Sequence, residues 1–165
     1  MPFLTEEEMM MGTDQGDTDR QDRPSTPEAG SRGQIILHTP AEVFSVLDAL
    51  KSKLEEKAYS AKEIFAVRLA TEEALVNAIK HGNRNDPSRR VWIRHEITAH
   101  RVWLEVEDEG LGFDLTQVPD PLAPENLERT SGRGLLLMRN FMTAVGFNEV
   151  GNRVWMYKDR AQEDE

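Results

Sequence analysis

Glu73 and Asn77 stand four residues apart in Glu73-Ala-Leu-Val-Asn77, a segment with the pattern of a helix, so their side chains share one face. A carboxylate beside a carboxamide suits a nucleophile and a bound cation. Asn77 offers a neutral carbonyl oxygen to Mg²⁺, and Glu73 can take a proton from a hydroxyl or water attacking a phosphate. Further along, Asp108-Glu-Gly110-Leu-Gly112 follows a strand-like stretch. An acid at a strand end can accept from an exocyclic amine such as that of adenine, and glycines there let backbone meet a flat ring. The third element, Ser131-Gly132-Arg133-Gly134, opens another helix. Free amides at a helix start attract anions, and Arg133 adds a fixed charge. Taken in that order, the three elements read as an ATP site.

Each element also has a plainer reading. Glu and Asn at this spacing occur on solvated helix faces, an acid before glycines makes an ordinary turn, and a glycine pair can merely punctuate a loop. Ala66 and Ala70, on the Glu73 face, would leave room for a ligand. His81 faces either the phosphates or the last helix carbonyls. Lys80 and Arg84 either add charge to the site or lie on a solvated face. Phe113 and the aliphatics near Leu135 belong to the core or line an adenine pocket. Ser131 is no hydrolase nucleophile, because no histidine and acid are placed to complete a triad.

These motifs need elements to hold them. Gln34 to Thr39 reads as a first strand. Thr39-Pro-Ala-Glu42 starts a helix by a capping box and a proline at its first position. That helix should bury Val43, Phe44, Val46, Leu47, Leu50 and Leu54. Ser60-Ala-Lys-Glu63 repeats the capping box and opens a second helix, running to about His81 with Gly82 as its cap. It is apolar over most of its circumference, which predicts cover on more than one side. Arg90–Ile97 and Arg101–Glu107 alternate as antiparallel strands, with Val91, Ile93 and Ile97 on one face and Val102, Leu104 and Val106 matching them. Trp92 and Trp103 fall on the opposite face, either as a surface for pairing or tucked under neighbouring side chains; Trp155 also lies on a strand. Gly134 to Val145 reads as the third helix, stopped by Gly146. Phe147–Val150 and Arg153–Tyr157 read as a hairpin across Gly151-Asn152. The order fits an α+β fold, a two-layer sandwich with helices on one face of a mixed or antiparallel sheet.

Composition sets limits. The chain of 165 residues has no cysteine, which removes disulfides, thiolate metal sites and cysteine nucleophiles. Its four histidines lack close ligand spacing, which argues against zinc. Thirty acids against 20 basic residues give a net charge of −10, a poor surface for direct nucleic-acid binding. No apolar run reaches membrane-spanning length, and the N-terminus lacks the pattern of a signal peptide. The expectation is a cytoplasmic protein with no membrane association. Residues 1–33 hold eight acids and three arginines and almost no large apolar side chains after Met11. They are expected to form a disordered acidic tail, residues 34–158 the ATP-binding domain, and residues 159–165 a charged C-terminal tail.

The motifs in this order resemble the ATP-binding superfamily of histidine kinases, the Hsp90 chaperone and type II topoisomerases. Within it the chain is most similar to the RsbW-type anti-sigma-factor serine/threonine kinases. Three stretches carry the likeness: Ala70-Thr-Glu-Glu-Ala-Leu-Val-Asn-Ala-Ile-Lys-His-Gly82, Asp108-Glu-Gly-Leu-Gly-Phe-Asp114 and Ser131-Gly-Arg-Gly-Leu-Leu-Leu-Met138. Histidine kinases usually carry asparagine where Glu73 stands and add a phosphoacceptor-histidine helix for which this chain has no room. The resemblance implies a Bergerat-type ATP-binding fold, with Glu73 as general base and Asn77 as Mg²⁺ ligand. Asp108 would hold the adenine amine, Gly110 and Gly112 would lie beneath the ring, and Gly132 and Gly134 would close the phosphate side. Residues 115–131 would form an ATP lid, here carrying Pro119, Pro121 and Pro124. The implied activity is phosphorylation of a serine or threonine on an anti-anti-sigma protein, with sequestration of a sigma factor by a homodimer. The alternative is a regulatory module that binds ATP and a protein partner without catalysis.

Overall fold

The computed structural model of the protein describes residues 30–112 and 133–162. Five strands, β1 (Ser31–Leu37), β2 (Val91–Ile97), β3 (Arg101–Asp108), β4 (Ala144–Phe147) and β5 (Arg153–Asp159), form one sheet in the order β1-β2-β3-β5-β4. All neighbouring pairs are antiparallel. Three helices, α1 (Val43–Glu56), α2 (Ala61–Asn77) and α3 (Arg133–Phe141), complete the expected α+β sandwich.

The core lies between the layers. Val91, Ile93 and Ile97 of β2 and Val102, Leu104 and Val106 of β3 are all buried with helix residues such as Leu50, Leu54, Leu75 and Ile79. The α2 helix packs against both α1 and α3, which accounts for its apolar circumference. Its start is held as the sequence predicts: Ser60 Oγ accepts from the Glu63 N–H at 3.1 Å, and Glu63 accepts from the Ser60 N–H at 3.0 Å. Ahead of α1, Pro40–Glu42 forms a 3-10 turn whose Glu42 carboxylate accepts from the N–H groups of His38 and Thr39.

Several boundaries differ from expectation, each for a local reason. Phe44, expected in the core, is 67% exposed. The buried residues of α1 are Val43, Val46, Leu47, Leu50 and Leu54. Phe44 falls instead on the flank that carries Asp48, Lys51 and Glu55. The β1 strand starts at Ser31 rather than Gln34 because Ser31, Arg32 and Gly33 pair with Ile97, Glu96 and His95 of β2, and a Cβ at Gly33 would stand 2.7 Å from His95 Cε1. The third helix ends at Phe141, not Val145, because Ala144–Phe147 pairs with β5. Asn148 then ends β4: its Oδ1 accepts from the N–H groups of Gly151, Asn152 and Arg153 at 2.9, 3.1 and 3.1 Å. At the C-terminus, Asp159 completes β5. The Arg160 guanidinium donates to the carbonyls of Ala99 and Lys57, both at 2.8 Å, so the fold extends past the expected boundary at 158.

On the sheet face away from the helices, Trp103 is 1% exposed. Its cross-strand neighbours are Glu96 and Tyr157. Arg101 lies 3.9 Å over the Tyr157 ring and Arg90 4.9 Å over Trp92, while Arg94 bridges Glu105 and Glu107. Long charged side chains thus roof the aromatic residues. Among the described residues, no helix is long and apolar enough to cross a membrane.

Candidate functional site

The α2 helix and the turn after it join the two halves of the candidate site. The α2 helix ends at Asn77, and Ala78–Gly82 continues as a single π-helical turn capped by Asn83 rather than by Gly82. Such turns disturb helix register and recur at functional sites. Glu73 and Asn77 stand at its entrance and Gly82 at its exit.

At the entrance, the start of α3 comes close to both side chains. A Cβ added to Gly134 would stand 2.5 Å from Glu73 Oε2 and 3.2 Å from Asn77 Nδ2. The glycine therefore lets the N-terminal end of α3, with its free amides, meet the carboxylate and the carboxamide. Two of the three predicted elements are brought together here. Arg133 opens α3. Ser131, Gly132, Phe113 and the proposed lid at 115–131 lie outside the described residues. Ala66 and Ala70, expected to leave room for a ligand, are buried in packing instead.

At the exit, Asp108 is buried at the end of β3. Burial pushes its carboxyl above the usual aspartate range, opposed by the Gly110 N–H, which donates to Oδ1 at 2.8 Å. Gly82 packs so closely on this carboxylate that a Cβ there would lie 2.2 Å from Asp108 Oδ2. A Cβ on Gly110 would lie 2.1 Å from the Gly82 carbonyl oxygen. Gly112 has φ +82°, and a Cβ there would meet the Val150 carbonyl at 1.7 Å. In this structure the glycines admit close approach of protein backbone, a use the motif alone does not reveal. From the other side, the Asp108 N–H donates to the Asn152 carbonyl at 2.9 Å.

These groups fit a nucleotide with its cation. The buried Asp108 carboxylate is an acceptor suited to an amine, and Asn77 supplies a neutral oxygen for a hard cation next to phosphates. A helix N-terminus beside them suits anionic oxygens. His81, Lys80 and Arg84 are exposed, and Leu135 packs against the core. Asn83 carries no sign of a site residue in the sequence. It sits in Gly82-Asn-Arg-Asn-Asp-Pro87, whose composition signals only a turn, and its 1% exposure comes from the fold.

A two-layer sandwich whose helix and strand-end acids flank a glycine cradle belongs to a known class. Residues 36–158 match the family model described as the histidine kinase-like ATPase domain, and the chain belongs to that family. It is also similar to proteins named anti-sigma F factor, among them the following three. One from Shouchella clausii is 34% identical over 103 residues, covering 59% of this chain and 70% of the relative. That of Bacillus subtilis is 36% identical over 103 residues, covering 58% and 69%. A third, from Anoxybacillus flavithermus, is 41% identical over 87 residues, covering 50% and 58%.

Proposed function

We propose that the protein is an ATP-dependent serine/threonine kinase that acts as an anti-sigma regulatory factor. In this reading it phosphorylates an anti-anti-sigma protein and sequesters a sigma factor when that partner is modified. The observation that carries the catalytic part is the meeting of Glu73, Asn77 and Gly134 at the start of the π turn. The names of the related proteins support the regulatory part.

ATP bound with Mg²⁺ supplies an electrophilic phosphoryl group and neutralisation of its charge. The protein's own groups do the rest. Glu73 accepts the proton of the incoming serine or threonine hydroxyl as its oxygen attacks the γ-phosphorus, and the bond from that phosphorus to the bridging oxygen breaks to release ADP. Asn77 holds Mg²⁺ through its side-chain oxygen. Asp108 accepts from the adenine amine, and the α3 N-terminus with Gly134 faces the phosphates. Ser131, Gly132 and Arg133 are proposed to complete the phosphate side. The proposal includes a cytoplasmic homodimer, which sedimentation of the purified chain would check.

The decisive experiment follows phosphoryl transfer from labelled ATP to a co-purified anti-anti-sigma partner, with Glu73→Ala in parallel. The variant should keep its stabilisation by Mg-ATP and lose transfer. Transfer retained by Glu73→Ala would remove Glu73 as the base. A wild-type protein that binds ATP yet transfers to no partner would instead be a non-catalytic binding module.

A further inference from the structure

The ladder between β2 and β3 ends at the pair Val91 and Asp108, so the next residues outward, Arg90 and Glu109, lie beyond its last register position. Asn83 bridges them through its side chain. Its Nδ2 donates to the Arg90 carbonyl at 2.9 Å, and its Oδ1 accepts from the Glu109 N–H at 2.9 Å. A carboxamide carries a donor and an acceptor in one plane, as a peptide group does, so the side chain takes the place of a missing rung. Neither aspartate nor an aliphatic residue offers both.

The same residue closes the π turn. The Asn83 N–H donates to the Ala78 carbonyl at 2.8 Å, and the Asn83 carbonyl accepts from the Asp86 N–H at 3.0 Å. Glu109 completes the clasp from outside. Its carboxylate accepts from the Arg90 N–H at 2.5 Å and from the Arg90 guanidinium at 3.1 Å. Asn83 therefore ties three segments together: the end of the π turn, the start of β2 and the chain leaving β3. Asp108 lies between two of those ties. Gly82, next to Asn83, packs on its carboxylate, and Gly110, next to Glu109, donates to it.

We propose that Asn83 is a positioning residue that fixes Asp108 where it discriminates among purine bases. Nucleotide contact remains with Asp108, and Asn83 acts through it. This inference rests on the reading of the site as an ATP site. Asn83 is itself buried with both ends of its amide satisfied, so its removal is costly: the Arg90 carbonyl and the Glu109 N–H lose hydrogen bonds in a part-buried place. The cost should appear in base selectivity, since the untied segment is the one that carries the Asp108–Gly110 contact.

The test compares Mg-ATP with Mg-ITP, whose purine carries a 6-oxo group in place of the amine. Binding of each is measured by calorimetry on the full chain, for wild type, Asp108→Asn, Asn83→Ala and Glu109→Ala. Wild type should favour ATP, and Asp108→Asn should erase that preference. Asn83→Ala should lose about tenfold in ATP affinity, the worth of one good hydrogen bond, while ITP binding changes little. Glu109→Ala alters an exposed side chain and is safe for folding, and it should reduce the preference by a smaller factor. If Asn83→Ala does not fold, Asn83→Asp decides in its place, because it keeps the acceptor for the Glu109 N–H, loses the donor to the Arg90 carbonyl and should lower the ATP preference. An ATP preference unchanged in the folded variants, with wild type and Asp108→Asn behaving as expected, overturns the role of Asn83. No ATP binding by wild type, or no effect of Asp108→Asn, overturns the ATP-site reading and this inference with it.

Discussion

Gly134 comes so near Glu73 that the smallest side chain placed on it would stand 2.5 Å from the carboxylate oxygen Oε2. That oxygen is the far end of a flexible side chain, so an alanine at 134 would displace the carboxylate rather than the backbone. Alanine is also the better helix former, so α3 should lose nothing by the change. Gly134→Ala should therefore keep its melting temperature in the absence of nucleotide. Phosphoryl transfer should fall by about 100-fold, the usual consequence of moving a catalytic group by roughly an ångström. Transfer at the wild-type rate in a folded Gly134→Ala protein would remove this contact from the catalytic arrangement.

Asp108 sets affinity against stability. Burial raises its carboxyl above the ordinary range, so the folded state binds this proton more readily than the unfolded chain. The charged form therefore costs folding stability above the folded-state pKa, and that cost is relieved as the pH falls through it. Asp108→Asn removes the charge and keeps an oxygen for the Gly110 N–H. The variant should melt at or above the wild-type temperature without nucleotide, yet lose roughly tenfold or more in ATP affinity. Wild-type ATP affinity should also weaken in acid as Asp108 takes up its proton, and the variant should not show this. Equal ATP affinities for the two proteins at neutral pH would move base recognition elsewhere.

The difference between legible and hidden features is physical. Periodicity showed the core face of β2 and β3, because Val91, Ile93, Val102, Leu104 and Val106 alternate along strands buried on that side. The capping box at Ser60 was legible because its two hydrogen bonds lie within four residues. The end of the third helix was not. Ala144–Phe147 becomes a strand only by pairing with β5, and Asn148 ends it by collecting three N–H groups, two from the turn that follows and one from the start of β5. For the candidate site, residue types pointed to Glu73, Asn77 and Asp108, while the contact of Gly134 with Glu73 and that of Gly82 with Asp108 arise only when distant segments pack. Asn83 looked like turn punctuation for the same reason.

Asn77 offers a sharper test of the cation than overall ATP affinity does. A neutral oxygen contributes to Mg²⁺ binding but little to the nucleotide alone. Thermal unfolding with ATP in EDTA and with Mg-ATP separates the two. At about a hundred times its dissociation constant, the nucleotide should stabilise the wild type by roughly 2.7 kcal/mol. Asn77→Ala should lose most of the Mg-ATP shift and keep the metal-free one. Equal loss of both shifts would contradict Asn77 as a metal ligand.

His95 gives the domain an acid-sensitive point in its core. The residue is 2% exposed on the helix-facing side of β2. Among the described residues, neither ring nitrogen finds a hydrogen-bond partner. Burial, and then the nearby Lys53 ammonium, hold its pKa below the ordinary histidine value. A depressed histidine stays neutral in the fold while the unfolded chain takes up a proton below about pH 6.5. Its contribution to stability is therefore complete above that pH and is lost as the pH falls toward the folded-state pKa. The loss is at most about 1.4 kcal/mol per pH unit. Asp108 titrates with the opposite sign, so the wild type alone does not isolate the effect. Urea unfolding of wild type and His95→Leu at pH 7.5 and pH 5.5 does, because both proteins carry Asp108. The stability difference between the two pH values should be less unfavourable to acid in His95→Leu. Identical pH dependence in the two proteins would mean that His95 takes up its proton in the fold as readily as in the unfolded chain.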